Sequence, residues 1–328
     1  MIFSPRSSRL TFVGLFSLTQ LSGPPANIHG YSIEPFHSYS IYNLSSQSLI
    51  SIETSSIPSK TSFHQNEIFA IFDQYHIQLP LPEIYIEFID KLATHHRGLS
   101  VFYIEQIQET WIESIKLFNN TQLSNQWLLK TIDDDEEQNA NHNQFKQIWN
   151  QMGLYKDCLF RSIVYSSEIK STTEQILARL NNKTTDEPLI VFVCGAKDSG
   201  KSTYLRYLIN QCLSKRDRQI EMGFVDSDIG QSEFTPSGTI SYLNHFHQPL
   251  LGPSASHLKK PVKSFYFGNI TVENDQIVKY LTYVKLIYDF IRNTNQLDLL
   301  LVNTMGWGAG QFRFHKHQQI CIYPFRLH

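Results

Sequence analysis

Apolar positions along this chain fall into two textures. Up to about residue 80 they come in short runs between turn signals: Thr11–Leu18, Ile28–Ile33, Tyr39–Tyr42, Leu49–Ile52, Ile68–Phe72 and Ile77–Leu79, punctuated by Gly23-Pro24-Pro25 and an Asn/Ser cluster at 43–48. Short runs at that spacing predict the strands of a small sandwich or barrel. From about residue 186 the runs are longer and alternate with helical periodicity. Pro188–Cys194 is continuously apolar, the pattern of a strand buried on both faces. In Ser202–Leu213 the positions Leu205, Leu208, Ile209, Cys212 and Leu213 share one helical face. Ile220–Val225 reads as a strand, as does Thr239–Leu243. Glu273–Arg292 reads as a helix with Ile277, Leu281, Val284, Tyr288 and Ile291 in phase, and Leu297–Val302 as one more buried strand. Strand–helix–strand alternation predicts an α/β domain on a parallel sheet with right-handed crossovers.

The pattern divides the chain into a β-rich domain over 1–82, a mixed connecting region over 83–185, an α/β domain over 186–310 and an atypical tail over 311–328. The connecting region holds a strand around Ser100–Ile104 and helical stretches. Within it, 119–147 is Asn/Gln-rich and carries the acidic run Asp133-Asp134-Asp135-Glu136-Glu137, a composition that buries little and predicts a solvated linker.

Composition narrows the classes. A length of 328 residues suggests about two domains, and the 41% hydrophobic content supports a real core. The net charge of −2 gives no global attraction to nucleic acid, so any such contact falls to a local patch. Lys259, Lys260 and Lys263 form one; a solvated loop explains them equally well. No run of about 18 apolar residues occurs, so no membrane partner is expected. Thr11–Leu18 follows Arg6 and Arg9 as a signal segment would, but Gly14 and Ser17 break it and a strand fits better. The cysteines at 158, 194, 212 and 321 have no CxxC spacing, which argues against a zinc site or a disulfide framework and for a reducing compartment.

The chemistry lies in the α/β domain. Gly195-Ala196-Lys197-Asp198-Ser199-Gly200-Lys201-Ser202 matches G-x-x-x-x-G-K-[ST] in full, between a buried strand and an amphipathic helix, which is the context that confirms a P-loop. Gly195 to Thr203 are therefore the candidate nucleotide-binding residues. Backbone N–H groups and the helix N-terminus favour phosphate there. Lys201 is placed for the β/γ-phosphates and Ser202 for Mg²⁺. Asp226-Ser227-Asp228 ends the next strand, where carboxyl ends face the ligand crevice of an open α/β sheet. One carboxylate can orient Mg²⁺ or its water, the other can accept the proton of an attacking hydroxyl; a plain turn pair is the alternative. Gly230-Gln231 and Thr235-Pro236-Ser237-Gly238 follow as two turns. Asn303-Thr304-Met305-Gly306-Trp307 ends another strand. Trp307 is either a platform for stacking a base or a packed core residue.

Together these motifs resemble the polynucleotide 5′-hydroxyl kinases, more closely the nucleolar branch acting in ribosomal RNA processing than the kinase subunit of the pre-mRNA cleavage factor. Gly252-Pro253 through His257-Leu258 and Tyr266-Phe267-Gly268-Asn269 are similar to the nucleolar branch. So, faintly, are Leu21-Ser22-Gly23 and Ile28-His29-Gly30-Tyr31. The resemblance implies a sandwich-like β domain beside a P-loop kinase domain. It implies transfer of the γ-phosphate of ATP to the 5′-hydroxyl of RNA, with Mg²⁺. Lys201, Asp228 and Asp226 would be catalytic, Asp228 as general base and Asp226, with Ser202, in the metal shell. Gln231, Thr235 and Thr304 would shape the phosphate and acceptor site, and Trp307 would stack the terminal base. A ribosomal-RNA endonuclease partner and a place in the nucleus and nucleolus are implied likewise.

The chain departs from the family after Gly308-Ala309-Gly310. Relatives continue into further strands, an arginine-bearing lid and a C-terminal domain, whereas 21 residues follow Trp307 here. From Gln311 onward no family counterpart is seen. Arg313 and Arg326 are poor substitutes for a lid arginine, and His315 and His317 read as solvated. A truncated chain that binds nucleotide but is catalytically impaired, serving as a scaffold for an RNA-processing nuclease, is the alternative reading. An unrelated GTPase is disfavoured because no N-K-x-D motif occurs.

Overall fold

The computed structural model describes residues 2–4, 9–12, 14–43, 50–54, 100–106, 154–156, 163–214, 219–294, 297–306 and 319–324. The chain forms two compact units, Met1–Val164 and Tyr165–His328. The expected runs Ile68–Phe72 and Ile77–Leu79, the linker 119–147 and Trp307 lie outside the described residues.

The first unit is β-rich. Its strands are β1 (Ile2–Ser4), β2 (Arg9–Phe12), β3 (Gly14–Ser22), β4 (Ala26–Ile28), β5 (Tyr31–Ser32), β6 (Ser38–Asn43), β7 (Ser51–Thr54), β8 (Ser100–Gln106) and β9 (Leu154–Lys156). They make two antiparallel sheets of order β1-β8-β3-β6 and β5-β4-β7-β2-β9. The run expected as one strand over Thr11–Leu18 contributes to two strands in different sheets, β2 ending at Phe12 and β3 starting at Gly14. Ile28–Ile33 is a hairpin instead of a strand: His29 and Gly30 both take positive φ, 50° and 83°, the conformation of a tight two-residue turn. Across β2 and β7, Arg9 and Glu53 are in register and form an ion pair. Asn43 closes the end of β6 by exchanging two hydrogen bonds with the Ile50 backbone, 2.7 and 2.8 Å.

The second unit runs α1 (Ser167–Asn181), β10 (Leu189–Cys194), α2 (Lys201–Leu213), β11 (Met222–Asp226), β12 (Thr239–Asn244), a 3-10 turn (Ser254–His257), β13 (Lys263–Tyr266), α3 (Ile277–Thr294), β14 (Leu299–Asn303) and β15 (Gln319–Pro324). Its six-stranded sheet has the order β13-β12-β11-β14-β10-β15. Only β11, β14 and β10 are mutually parallel; β12, β13 and β15 pair antiparallel. The expected parallel sheet is present as this central core, with antiparallel strands added at its edges. No helix covers the connection from β11 to β12, and a connection that folds straight back yields an antiparallel neighbour. The atypical tail contributes β15 at the sheet edge, paired along the whole of β10.

Two apolar layers flank this sheet. One joins α1 and α2 to it through Ile176, Leu180, Leu205, Leu208, Phe224 and Leu301. The other joins α3 through Tyr280, Ile287 and Ile291 to Val225, Ile240 and Val302. Leu281, expected on the buried stripe of α3, is 57% exposed, because the stripe runs through Tyr280 and Ile287 instead. The sequence boundary at 186 falls inside this unit, since α1 belongs to its core.

Candidate active site

The parallel order places the carboxyl ends of β10, β14 and β11 side by side. In register, Val193 faces Asn303 and Asn303 faces Asp226. The three segments that follow these strands are the P-loop, the Asp228 turn and Thr304–Gly306, so sheet geometry brings together motifs more than a hundred residues apart in sequence.

The P-loop closes on α2 with Gly200 at the cap in the left-handed region, φ 86°. Asp198 is also at positive φ, 62°, which aspartate tolerates better than most residues. Lys201 is only 6% exposed and donates to Ala196 O at 3.1 Å. Burial lowers its pKa; the negative charges of Asp228 and Asp198 oppose that. The Ser199 hydroxyl oxygen is buried without a hydrogen-bond partner among the described residues, a donor available to a phosphate oxygen. Gly306 is needed for the fit of the neighbouring segment: a Cβ there would meet Lys197 N at 2.7 Å and Lys197 Cα at 2.8 Å.

The two acids behave differently. Asp228 caps its own turn, its Oδ1 accepting from Gly230 N at 3.1 Å and Gln231 N at 3.0 Å. Its Oδ2 has no hydrogen-bond partner among the described residues, and its charge acts on Lys201. Asp226 is fully buried. Its Oδ2 accepts from Glu233 N at 2.6 Å and its Oδ1 from Asn303 Nδ2 at 3.0 Å. Burial pushes its pKa up to about 7 against those two hydrogen bonds, with the charges of Glu233 and Asp228 adding to the rise. Both oxygens of Asp226 thus accept hydrogen bonds within the protein, and the residue is fully buried. Ser202, at the first turn of α2, is a hard oxygen donor suited to Mg²⁺.

The candidate acceptor residues also separate. The Thr304 hydroxyl donates to Val193 O at 2.9 Å and ties the end of β14 to β10. Thr235 is buried and shares a hydrogen bond with Ser241 Oγ, 3.3 Å. Both hydroxyls are hydrogen-bonded within the protein. Gln231 keeps an exposed side chain. The tight packing of its turn depends on Gly230, where a Cβ would lie 2.8 Å from Ile270 O. Of the lysine cluster, Lys259 lies over the Phe246 ring and Lys263 over Phe265 and Phe290.

One group escaped the sequence reading. Glu233, 2% exposed, accepts two hydrogen bonds from Arg206, Nε to Oε1 at 2.5 Å and Nη2 to Oε2 at 3.1 Å, and pairs with His257 Nε2 at 2.5 Å. Burial alone would raise its pKa; Arg206 and His257 outweigh it and hold the carboxyl at about 2. The signal for it was Arg206 itself, a lone arginine in a helix buried around most of its circumference, which calls for a charged partner.

Comparison with known proteins now bears on this geometry. Residues 195–322 match the family model of the mRNA cleavage and polyadenylation factor CLP1 P-loop. The chain is 36% identical over 135 residues to the polynucleotide 5′-hydroxyl-kinase NOL9 of Bos taurus, and 36% over 160 residues to that of Homo sapiens. Its P-loop unit is related to the polynucleotide 5′-hydroxyl-kinases. The Dictyostelium discoideum enzyme of that name is 33% identical over 153 residues. These matches cover 41%, 49% and 44% of this chain, and the chain spans only 18%, 22% and 21% of those relatives' lengths. The family match runs to residue 322, so it includes much of the tail that had no visible counterpart; the pairing of β15 with β10 gives that segment its place. A solved structure of a wild-type Clp1p–Pcf11p complex aligns with a TM-score of 0.47 at 12% identity, covering 93% of this chain and 53% of that one.

Proposed function

We propose that this chain transfers the γ-phosphoryl group of ATP to the 5′-hydroxyl of RNA. The observation that carries the proposal is the juxtaposition of Lys201 with Asp228 at the carboxyl ends of the central strands. The P-loop backbone, Ser199 and Lys201 hold the donor's phosphates. Lys201 is desolvated, so its charge acts strongly on the oxygens it meets. Asp228, with Oδ1 fixed by two backbone N–H groups, presents Oδ2 to take the proton of the attacking hydroxyl. Asp226 ties the segment after that turn to the end of β14, through Glu233 N and Asn303 Nδ2, and with Ser202 would belong to the metal shell. Ser202 would hold Mg²⁺, which when bound neutralises charge on the phosphates. The names of the relatives support the acceptor, a polynucleotide 5′-hydroxyl.

The finer reading is that the acceptor arises in ribosomal RNA processing, that a ribosomal-RNA endonuclease is the partner, and that the protein resides in the nucleolus. The test of the activity is transfer of labelled γ-phosphate to a short 5′-hydroxyl RNA and its DNA counterpart. We expect transfer by the chain, loss in Lys201→Ala, and a fall of about 10²–10⁴ in kcat for Asp228→Asn. Nucleotide binding without any transfer would overturn the kinase reading in favour of a nucleotide-binding scaffold. A fluorescent fusion outside the nucleolus would overturn the location.

A further inference from the structure

Three segments remote in sequence meet at Glu233, and each carries something the site uses. Arg206 is on the second turn of α2, the helix that begins with Lys201 and Ser202. Glu233 belongs to the segment following Asp228, and its own backbone N–H holds Asp226 Oδ2 at 2.6 Å. His257 ends the short 3-10 turn; its Nδ1 meets Ser256 Oγ at 3.3 Å and its ring lies 5.3 Å from that of Phe234. One turn beyond Arg206, Asn210 pins the same helix to the segment leading into that 3-10 turn. Its Nδ2 donates to Leu250 O at 3.1 Å and its Oδ1 accepts from Leu250 N at 2.7 Å. One face of α2 therefore grips both segments.

A buried carboxylate paired with a part-buried arginine and histidine is a poor way to gain stability, since apolar replacement of such groups is often neutral or better. Its best-attested use is to fix register between elements. Here the register concerns reacting parts. The carboxylate of Glu233 is tied to the nucleotide helix, and its main chain is tied to Asp226, beside the turn in which Asp228 is capped.

We propose that Arg206, Glu233 and His257 form a clamp that keys the acidic turn to the P-loop helix, with Glu233 a positioning residue for the reaction. The effect on rate rests on the kinase reading above; the effect on the turn does not.

The test reads both. Hydrogen exchange in Glu233→Gln is expected to lose protection roughly tenfold or more at the amides of Gly230, Gln231 and residue 233, while the amides of α2 keep theirs. Nucleotide affinity is expected to stay within about threefold while kcat falls roughly 10²-fold, the size of effect a misplacement of about 1 Å produces. Arg206→Leu combined with Glu233→Leu removes both charges, so it separates stability from register. It should recover the melting temperature without recovering kcat or the protection of the turn. Should Glu233→Gln fail to fold, because it leaves the part-buried Arg206 beside a neutral partner, the double variant carries the test. Unchanged turn protection in these variants would overturn the clamp, as would recovery of kcat together with stability in the double variant. Absence of transfer by the unmodified chain would overturn the kinase reading alone, and the exchange data would still decide the clamp.

Discussion

At the scale of single residues, the two acids of the Asp226-x-Asp228 pair show how position divides labour between like groups. Asp228 keeps an oxygen free of hydrogen bonds among the described residues, whereas Asp226 is enclosed with its pKa raised to about 7. A carboxyl whose folded pKa lies above its unfolded value binds its proton more tightly when folded. Its contribution to stability is thus full below about pH 4 and is lost as pH rises through about 7. Glu233 has the opposite sign: held at about 2, it contributes fully above its unfolded pKa and loses that only as pH falls toward 2. Between about pH 5 and 8 the Glu233 contribution is level, so a slope there isolates Asp226. We expect the unfolding free energy of the unmodified chain, measured relative to Asp226→Asn by urea titration, to decline from about pH 5 to 7 and flatten above about 8. The asparagine of that variant can be accommodated if Asn303 turns its amide, because Asn303 Oδ1 is buried and unpartnered among the described residues. A difference that stays level with pH would show that Asp226 is ionised throughout.

At the scale of elements, two glycines of the site do different work, and substitution tells them apart. Gly200 has open space for a Cβ but φ 86°, so Gly200→Ala is expected to cost about 1–2 kcal/mol through the left-handed backbone alone. Gly306 packs on Lys197 with no room for a methyl. Gly306→Ala is therefore expected to push Thr304–Gly306 away from the P-loop and weaken nucleotide binding, at a cost of about 1–3 kcal/mol. Isothermal titration with a nucleotide, beside thermal melts, would separate the two effects; equal binding by Gly306→Ala would contradict the packing. The P-loop, β10, α2 and β14 were legible because their patterns are local: one motif, one continuous run, one helical stripe. Helix α1 was not, because only Thr173, Ile176, Leu177 and Leu180 of its fifteen residues are buried, too sparse a stripe to stand out from a polar stretch. Its capping Ser166, which accepts from Ile169 N, was the available clue. β12 was legible as a strand but not as an antiparallel one, because a buried strand reads alike in either direction; β13 was missed because its four residues are nowhere fully buried. The clamp was missed because Arg206, Glu233 and His257 meet only through the fold. Since α1 is part of the core, Leu180→Ala should destabilise the P-loop unit by about 2–5 kcal/mol, measurable by denaturant titration. A loss under about 1 kcal/mol would place α1 outside that core.

At the scale of the whole molecule, charge bears on how the proposed polynucleotide acceptor would be held. With 28 basic and 30 acidic side chains there is no general attraction to a phosphate backbone. Local candidates are further reduced by what the described cations already do. Arg206 is held in the clamp and Lys183 pairs with Asp298 at 3.5 Å. Lys201 is buried in the P-loop, and Lys259, Lys263 and Lys279 lie over aromatic rings. Exposed lysines such as Lys197 and Lys260 remain for phosphate contacts. Each phosphate neutralised on a single strand adds about −0.7 to the slope of log affinity against log salt. With one to three contacts, the slope for a short 5′-hydroxyl RNA is expected between about −0.7 and −2. Fluorescence anisotropy from about 50 to 200 mM salt would measure it, and Lys260→Ala should make it shallower by about 0.7 if that residue is one of the contacts. A slope nearer about −5 would mean that many more phosphates are gripped than these residues can reach, and would move the polynucleotide-binding surface away from this site. A shallow slope with measurable affinity would leave recognition to stacking and to the terminal hydroxyl, which is what an enzyme acting on strand ends requires.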